Sequence, residues 1–360
     1  MLRPSPPTGS EGKAVVPLET TGAEAVRAET PEMHAAPSAE SMATTRIEQA
    51  LASVLKTLRN GSPDEKRAAL ARLRELLLAE DPQIAAAAVL AFLTAGEDAE
   101  TGMEFEVGSS GALTAANTLR IFLLDLLPQI DTEASRQASM EALGLRRSAD
   151  EWAVAMRNLA WADVKTGTQS AALLTAKFGE MIANPEWVNA PSSGFLEAFD
   201  VPVHIAAVQV MPQLAEFANR EDTPLQQAAL VAMDTMANLH PLEVMNYLNG
   251  NTAVMAERPL VRADYFTKAD LTDARQLAAV ETYMGRTDVS LEEKTKFLNG
   301  LAAPGAFVSD SLLTDIPKAN LADLTRRHNA TVQAAQQWKS SGRYPAFEEP
   351  LNYLIGLEAP

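Results

Sequence analysis

A chain of 360 residues, 47% of them hydrophobic, is long and apolar enough to bury a sizeable core. Its net charge of −17 excludes a nucleic-acid partner, because such a surface repels phosphates, and it weighs equally against an anionic membrane surface. The absence of cysteine removes disulfides, thiolate metal sites and thiol nucleophiles, and an aromatic content of 6% favours closely packed helices over a β-sandwich.

Residues 1–43 carry six prolines among Ser, Thr, Glu and Gly with no apolar period, so they read as a disordered tail. Met42-Ala-Thr-Thr45 resembles a fresh start, which leaves the preceding stretch open as a tether or as sequence upstream of the true beginning. The first twenty residues have no apolar signal-peptide core, and the longest apolar run, 121–127, is interrupted by Asp125. A cytoplasmic location is the default expectation.

From residue 44 the helix signals are dense. Ile47, Leu51, Val54, Leu55 and Leu58 share one helical face that Asn60-Gly61 terminates. Ser62-Pro-Asp-Glu65 is a capping box with proline at the first helical position, and Asp81-Pro82 opens a third helix carrying Ile84, Ala88, Val89 and Phe92. Further helices are predicted from Thr118, after Asp131-Thr132, and after a second capping box, Ser148-Ala-Asp-Glu151. The pattern then predicts helices over 168–182, 203–217, 225–239, 241–248, 268–283, 290–301 and 321–338.

The stretch 96–113, GEDAETGMEFEVGSSGAL, breaks this pattern with five carboxylates and four glycines. It lacks the lysine of a phosphate loop and the ligand spacing of an EF-hand. Alternation predicts a β-hairpin over 102–114, with Met103, Phe105 and Val107 on one side and Glu104 and Glu106 on the other. Such an insertion either closes one end of the helical array or is presented to a partner.

Two segments share a plan: SPDEKRAALARLRELLLAEDPQIAAAAVLAFL and TPLQQAALVAMDTMANLHPLEVMNYL. Each has a Ser/Thr-Pro cap, an alanine-rich first helix, a sharp corner and a shorter second helix. This plan resembles that of HEAT-like α-solenoids over 44–250, with 251–360 continuing or capping the array. The resemblance implies an all-α stack of antiparallel helix pairs.

The remaining constellations carry little chemistry. His34, His204, His240 and His328 are scattered, with no His-Glu-x-x-His spacing, and His240 before Pro241 is placed to cap free carbonyls. No Gly-x-Ser-x-Gly elbow is present, and Asp150-Glu151 is one of many acidic neighbours. Trp152 and Trp161 lie on opposite faces of one helix at roughly 100° per residue, so either the helix is packed on two sides or one indole is a partner anchor. Trp187 in Asn184-Pro-Glu-Trp187 and the Asp264-Tyr-Phe266 stretch are lesser anchors of the same kind.

The expected function is therefore non-enzymatic: a scaffold or adaptor that binds another protein with a basic surface and uses no cofactor or metal. Its candidate contacts are Met103, Glu104, Phe105, Glu106, Val107, Trp152 and Trp161. A self-associating assembly unit is the alternative, followed by a carboxylate-rich metal-binding hydrolase.

Overall fold

A computed structural model describes residues 38–221, 223–302, 311–316 and 320–358. The fold is all-α with two short strands. Helices α1 (Ala39–Asn60), α2 (Pro63–Ala79) and α3 (Pro82–Ala95) come first. They are followed by strands β1 (Glu106–Val107) and β2 (Leu113–Ala115). Then come α4 (Leu119–Ile130), α5 (Thr132–Leu145), α6 (Ala149–Thr166), α7 (Ala171–Ile182), α8 (Pro185–Asn189), α9 (Ser193–Glu197) and α10 (Asp200–His204). The chain continues through α11 (Met211–Ala218), α12 (Pro224–Leu239), α13 (Pro241–Gly250), α14 (Pro259–Phe266) and α15 (Ala274–Gly285). Helices α16 (Leu291–Gly300), α17 (Leu321–Ser340) and α18 (Glu348–Ile355) complete it. No helix among the described residues is long and apolar enough to cross a membrane.

The caps place most helix starts where the local sequence predicts them. Ser62 and Glu65 form the reciprocal capping box of α2, and Asp81, Thr118, Asp131, Thr223 and Ser290 each accept a backbone N–H of the helix they precede. On α1, Ile47, Leu51, Val54, Leu55 and Leu58 are all buried.

Five expectations need correction. The helix α1 begins at Ala39, so the tail expected through residue 43 yields its last residues to the helix, and residues 1–37 lie outside the described part. The helix predicted over 203–217 is broken: α10 ends at His204, Ala206 takes a left-handed φ of 51°, and α11 restarts at Met211-Pro212. The helix predicted from 268 starts at Ala274, because Asp273 accepts the Arg275 N–H as N-cap. Helices α8, α9, α14 and α18 fill stretches for which the sequence pattern predicts no helix. Finally, Ser148 caps α6 as expected, but the Glu151 carboxylate does not close a box; Arg120 on α4 holds it at 2.6 Å.

The hairpin forms and ends at Ala115, one residue past the predicted bound of 114. Glu106 pairs with Ala115 and Val107 with Leu113, with a register irregularity between them. Gly111, at φ 77°, is the turn position that requires a left-handed backbone.

Among the described residues three fully buried charge pairs run through the core: Arg120–Glu151, Arg157–Asp125 and Arg262–Glu293. The segment 311–316 reaches back to the first half of the chain. Leu312 is fully buried, and its carbonyl lies against Gly111 of the hairpin turn.

Candidate functional site

The hairpin rests on a buried polar platform. Asp125 on α4 accepts the Leu113 N–H at 2.9 Å and an Arg157 N–H at 2.7 Å. Arg157 on α6 also donates to the Gly111 carbonyl at 2.8 Å and to the Asn158 side chain, which in turn donates to the Leu124 carbonyl. Burial pushes the Arg157 pKa down, and Asp125 opposes that shift. Asp98 and Arg120 fasten the other strand end, where Asp98 accepts the Arg120 N–H at 3.0 Å and Thr101 donates to the Ala116 carbonyl at 2.5 Å. Isolated buried charges are costly, so Asp125 and Arg157 meet each other while both hold the turn.

This geometry sorts the sequence-predicted residues. Phe105 is buried and Met103 and Val107 are half-buried against the core, whereas Glu104 and Glu106 are exposed. The predicted alternation is therefore present, with its apolar side facing inward. Trp152 is fully buried and meets Trp187 edge-on at 5.3 Å between ring centres. That overturns its reading as a surface anchor: α6 is packed by α4, α5, α7 and α9, which leaves the indole no access to a partner. Trp161, on the opposite face, is half-buried with the Arg157 guanidinium 4.2 Å from its ring centre and the hairpin turn beside it. In the Asp264-Tyr-Phe266 stretch, Tyr265 and Phe266 are buried as well.

A second site went unread in the sequence. Leu196, Glu197, Phe199, Asp200, Val203, Pro224, Val231 and Ser311 line a cleft of about 300 Å³ between α9–α10 and α12. Asp200 accepts the N–H groups of Leu313 at 2.6 Å and Thr314 at 2.8 Å, together with the Thr314 hydroxyl. One carboxylate thus holds an irregular segment that lies more than a hundred residues away in the chain. Burial raises the Asp200 pKa, against those three hydrogen bonds. Glu197, beside it in the cleft, is pushed up to about 7 by burial and by the Asp200 charge.

The histidines take supporting places. Nε2 of His240 lies 3.0 Å from the Val203 carbonyl, a helix-end contact of the kind its position before Pro241 predicts. The His204 pKa is lowered by burial, with Asp200 and Asp163 opposing and His240 adding to the shift. His328 lines a separate cleft, and His34 lies outside the described residues. Among the described residues no group of three or more histidines or carboxylates is arranged to hold a metal.

A third surface feature is a groove of about 500 Å³ between α1 and α3. Leu51, Leu55, Ala88 and Phe92 floor it, and Glu48, Lys56, Arg59 and Glu97 form its rim. In comparison with known proteins, no protein-family profile, curated protein or solved structure matches this chain.

Proposed function

We propose that the helices form a HEAT-like α-solenoid and that the protein is a non-enzymatic scaffold, binding another protein along its helical surface. The observation that carries this reading is the groove between α1 and α3, whose apolar floor and charged rim suit the apolar face of a partner helix. Consecutive packing supports the solenoid: α1 touches α2 and α3, α3 touches α4, α5 packs between α4 and α6, and α12 packs between α11 and α13. A net charge of −17 favours a partner with basic side chains, and the exposed Glu104 and Glu106 of the hairpin offer it a further contact.

The test places a photo-crosslinking residue at Ala91, an exposed position in the groove wall. A discrete adduct is expected in native cells, lost in a Phe92→Asp chain whose circular dichroism is unchanged, and weakened by salt. An adduct that survives Phe92→Asp, or none at all, removes the groove from the reading.

Self-association as an assembly unit is the second reading. It is favoured by the exposed apolar side chains Leu291, Leu321 and Tyr353 of α16, α17 and α18. Light scattering across concentration distinguishes it: a mass that rises with concentration supports assembly.

A further inference from the structure

The segment 311–316 has no regular secondary structure, yet it is docked like a bound peptide. Leu312 is wholly inserted into the core, Leu313 and Thr314 direct three donors onto Asp200, and the Asp315 side is exposed. This is extended-segment recognition: one apolar anchor gives affinity, and backbone N–H groups with a neighbouring hydroxyl give register. Beside the segment, the cleft of about 300 Å³ continues past Ser311 towards Glu197, Leu196 and Val231.

We propose that the Asp200 cleft is a recognition site for an extended segment of another protein, with a leucine followed by a threonine or serine. The chain's own Ser311-Leu-Leu-Thr314 fills the site in cis until that partner displaces it. A partner carrying lysine or arginine where this chain has Ser311 gains an ion pair that no serine can make, because that position borders the same cavity as Glu197. This inference does not rest on the groove between α1 and α3, and either one stands or falls without the other.

The test is amide hydrogen exchange on the full wild-type chain, with and without the synthetic peptides acetyl-SLLTDI-amide and acetyl-KLLTDI-amide. The expected result is saturable, at least tenfold faster exchange of the Leu313 and Thr314 amides as peptide takes over Asp200, with the amides of α4 and α6 unchanged. The lysine peptide is expected to act at several-fold lower concentration at pH 8, where Glu197 is ionised, than at pH 5, where it is neutral. A control peptide, acetyl-SALADI-amide, lacks the anchor and the hydroxyl and is expected to do nothing.

The proposal is overturned if exchange at Leu313 and Thr314 ignores all the peptides. It is equally overturned if the control peptide works as well as the others, or if 311–316 exchanges only together with α4 and α6, which would make it an inseparable part of the core. An Asp200→Ala chain supplies the second measurement: its 311–316 amides are expected to exchange fast without peptide and to gain nothing from it.

Discussion

Helices α4–α5–α6 and α14–α15–α16 are built on the same four polar positions. An arginine in the first helix (Arg120, Arg262), an aspartate capping the second (Asp131, Asp273), a serine capping the third (Ser148, Ser290) and a glutamate three residues on (Glu151, Glu293) recur with identical spacing. In both units the arginine lies 31 residues before the glutamate, and Nε of the arginine donates to that carboxylate within 2.7 Å. The surroundings differ. Arg262 forks onto both Glu293 oxygens, and the Tyr283 hydroxyl adds a third donor at 2.9 Å. Glu151 engages only one oxygen, and its Oε2 has no partner among the described residues, although both arginines donate Nη1 to a backbone carbonyl, Arg120 to Leu93 and Arg262 to Thr252. The first unit adds Arg157–Asp125 and the hairpin; the corresponding positions of the second hold Asn299 and Thr267. Both middle helices pack on a helix before their unit, α5 on α3 and α15 on α13, but α5 also packs closely on α4 and α6. A shared fastening therefore does not dictate a shared environment: each unit satisfies its buried charges with whatever its neighbours supply.

The largest expected effect lies where the units differ most. Arg157→Met leaves Asp125 buried without its counter-charge and frees the Gly111 carbonyl, so it is expected to cost about 4 kcal/mol in urea unfolding. Adding Asp125→Asn is expected to recover part of that loss, because the asparagine oxygen still accepts from Leu113. Next comes the shared pair. Glu293→Gln breaks a three-donor arrangement and is expected to cost about 3 kcal/mol, against about 2 kcal/mol for Glu151→Gln. Equal losses would mean that the fork is irrelevant and that burial alone sets the cost.

Gly111→Ala is expected to lower stability by about 2 kcal/mol, since a left-handed φ is compounded by the Leu312 carbonyl. Gly167→Ala serves as the control: it has a similar φ of 72° but open space around it, so about 1 kcal/mol is expected. Equal in size to that control, but confined to high pH, is the effect of Glu197→Gln. An acid whose folded pKa, about 7, lies above its unfolded 4.5 costs nothing while both states are protonated. It destabilises the fold progressively as pH rises from 4.5 to 7 and by a constant amount above that. The variant is thus expected to match wild type at pH 4 and to gain about 1 kcal/mol at pH 8, a figure reduced for the residue's partial exposure. A gain at pH 4 instead would assign the effect to packing.

Much of this architecture is legible residue by residue. Ser62, Asp81, Asp131 and Ser290 announce their helices because a cap acts over three residues or fewer. The Met103–Glu104–Phe105–Glu106–Val107 alternation announces which way each side chain points for the same reason. Glu151 shows the limit. Its place in Ser148-x-x-Glu151 reads as half of a capping box, yet a guanidinium from another helix outbids the local N–H, because a charge pair in a dry interior is the stronger bond. Asp200 gave no signal at all, since its partners at 313 and 314 are neither periodic nor near it in sequence.

The sequence alone determined what short-range physics controls: the all-α class, the principal helix starts at caps and prolines, the inward and outward sides of the hairpin, and an acidic exterior unsuited to phosphate. Only the tertiary structure decided which buried charges pair, that Trp152 is sealed inside α6's neighbours, and that 311–316 lies on Asp200. Those outcomes depend on which surfaces meet when helices pack, and a charge taken out of water accepts the partner that geometry brings within about 3 Å, however distant in the chain.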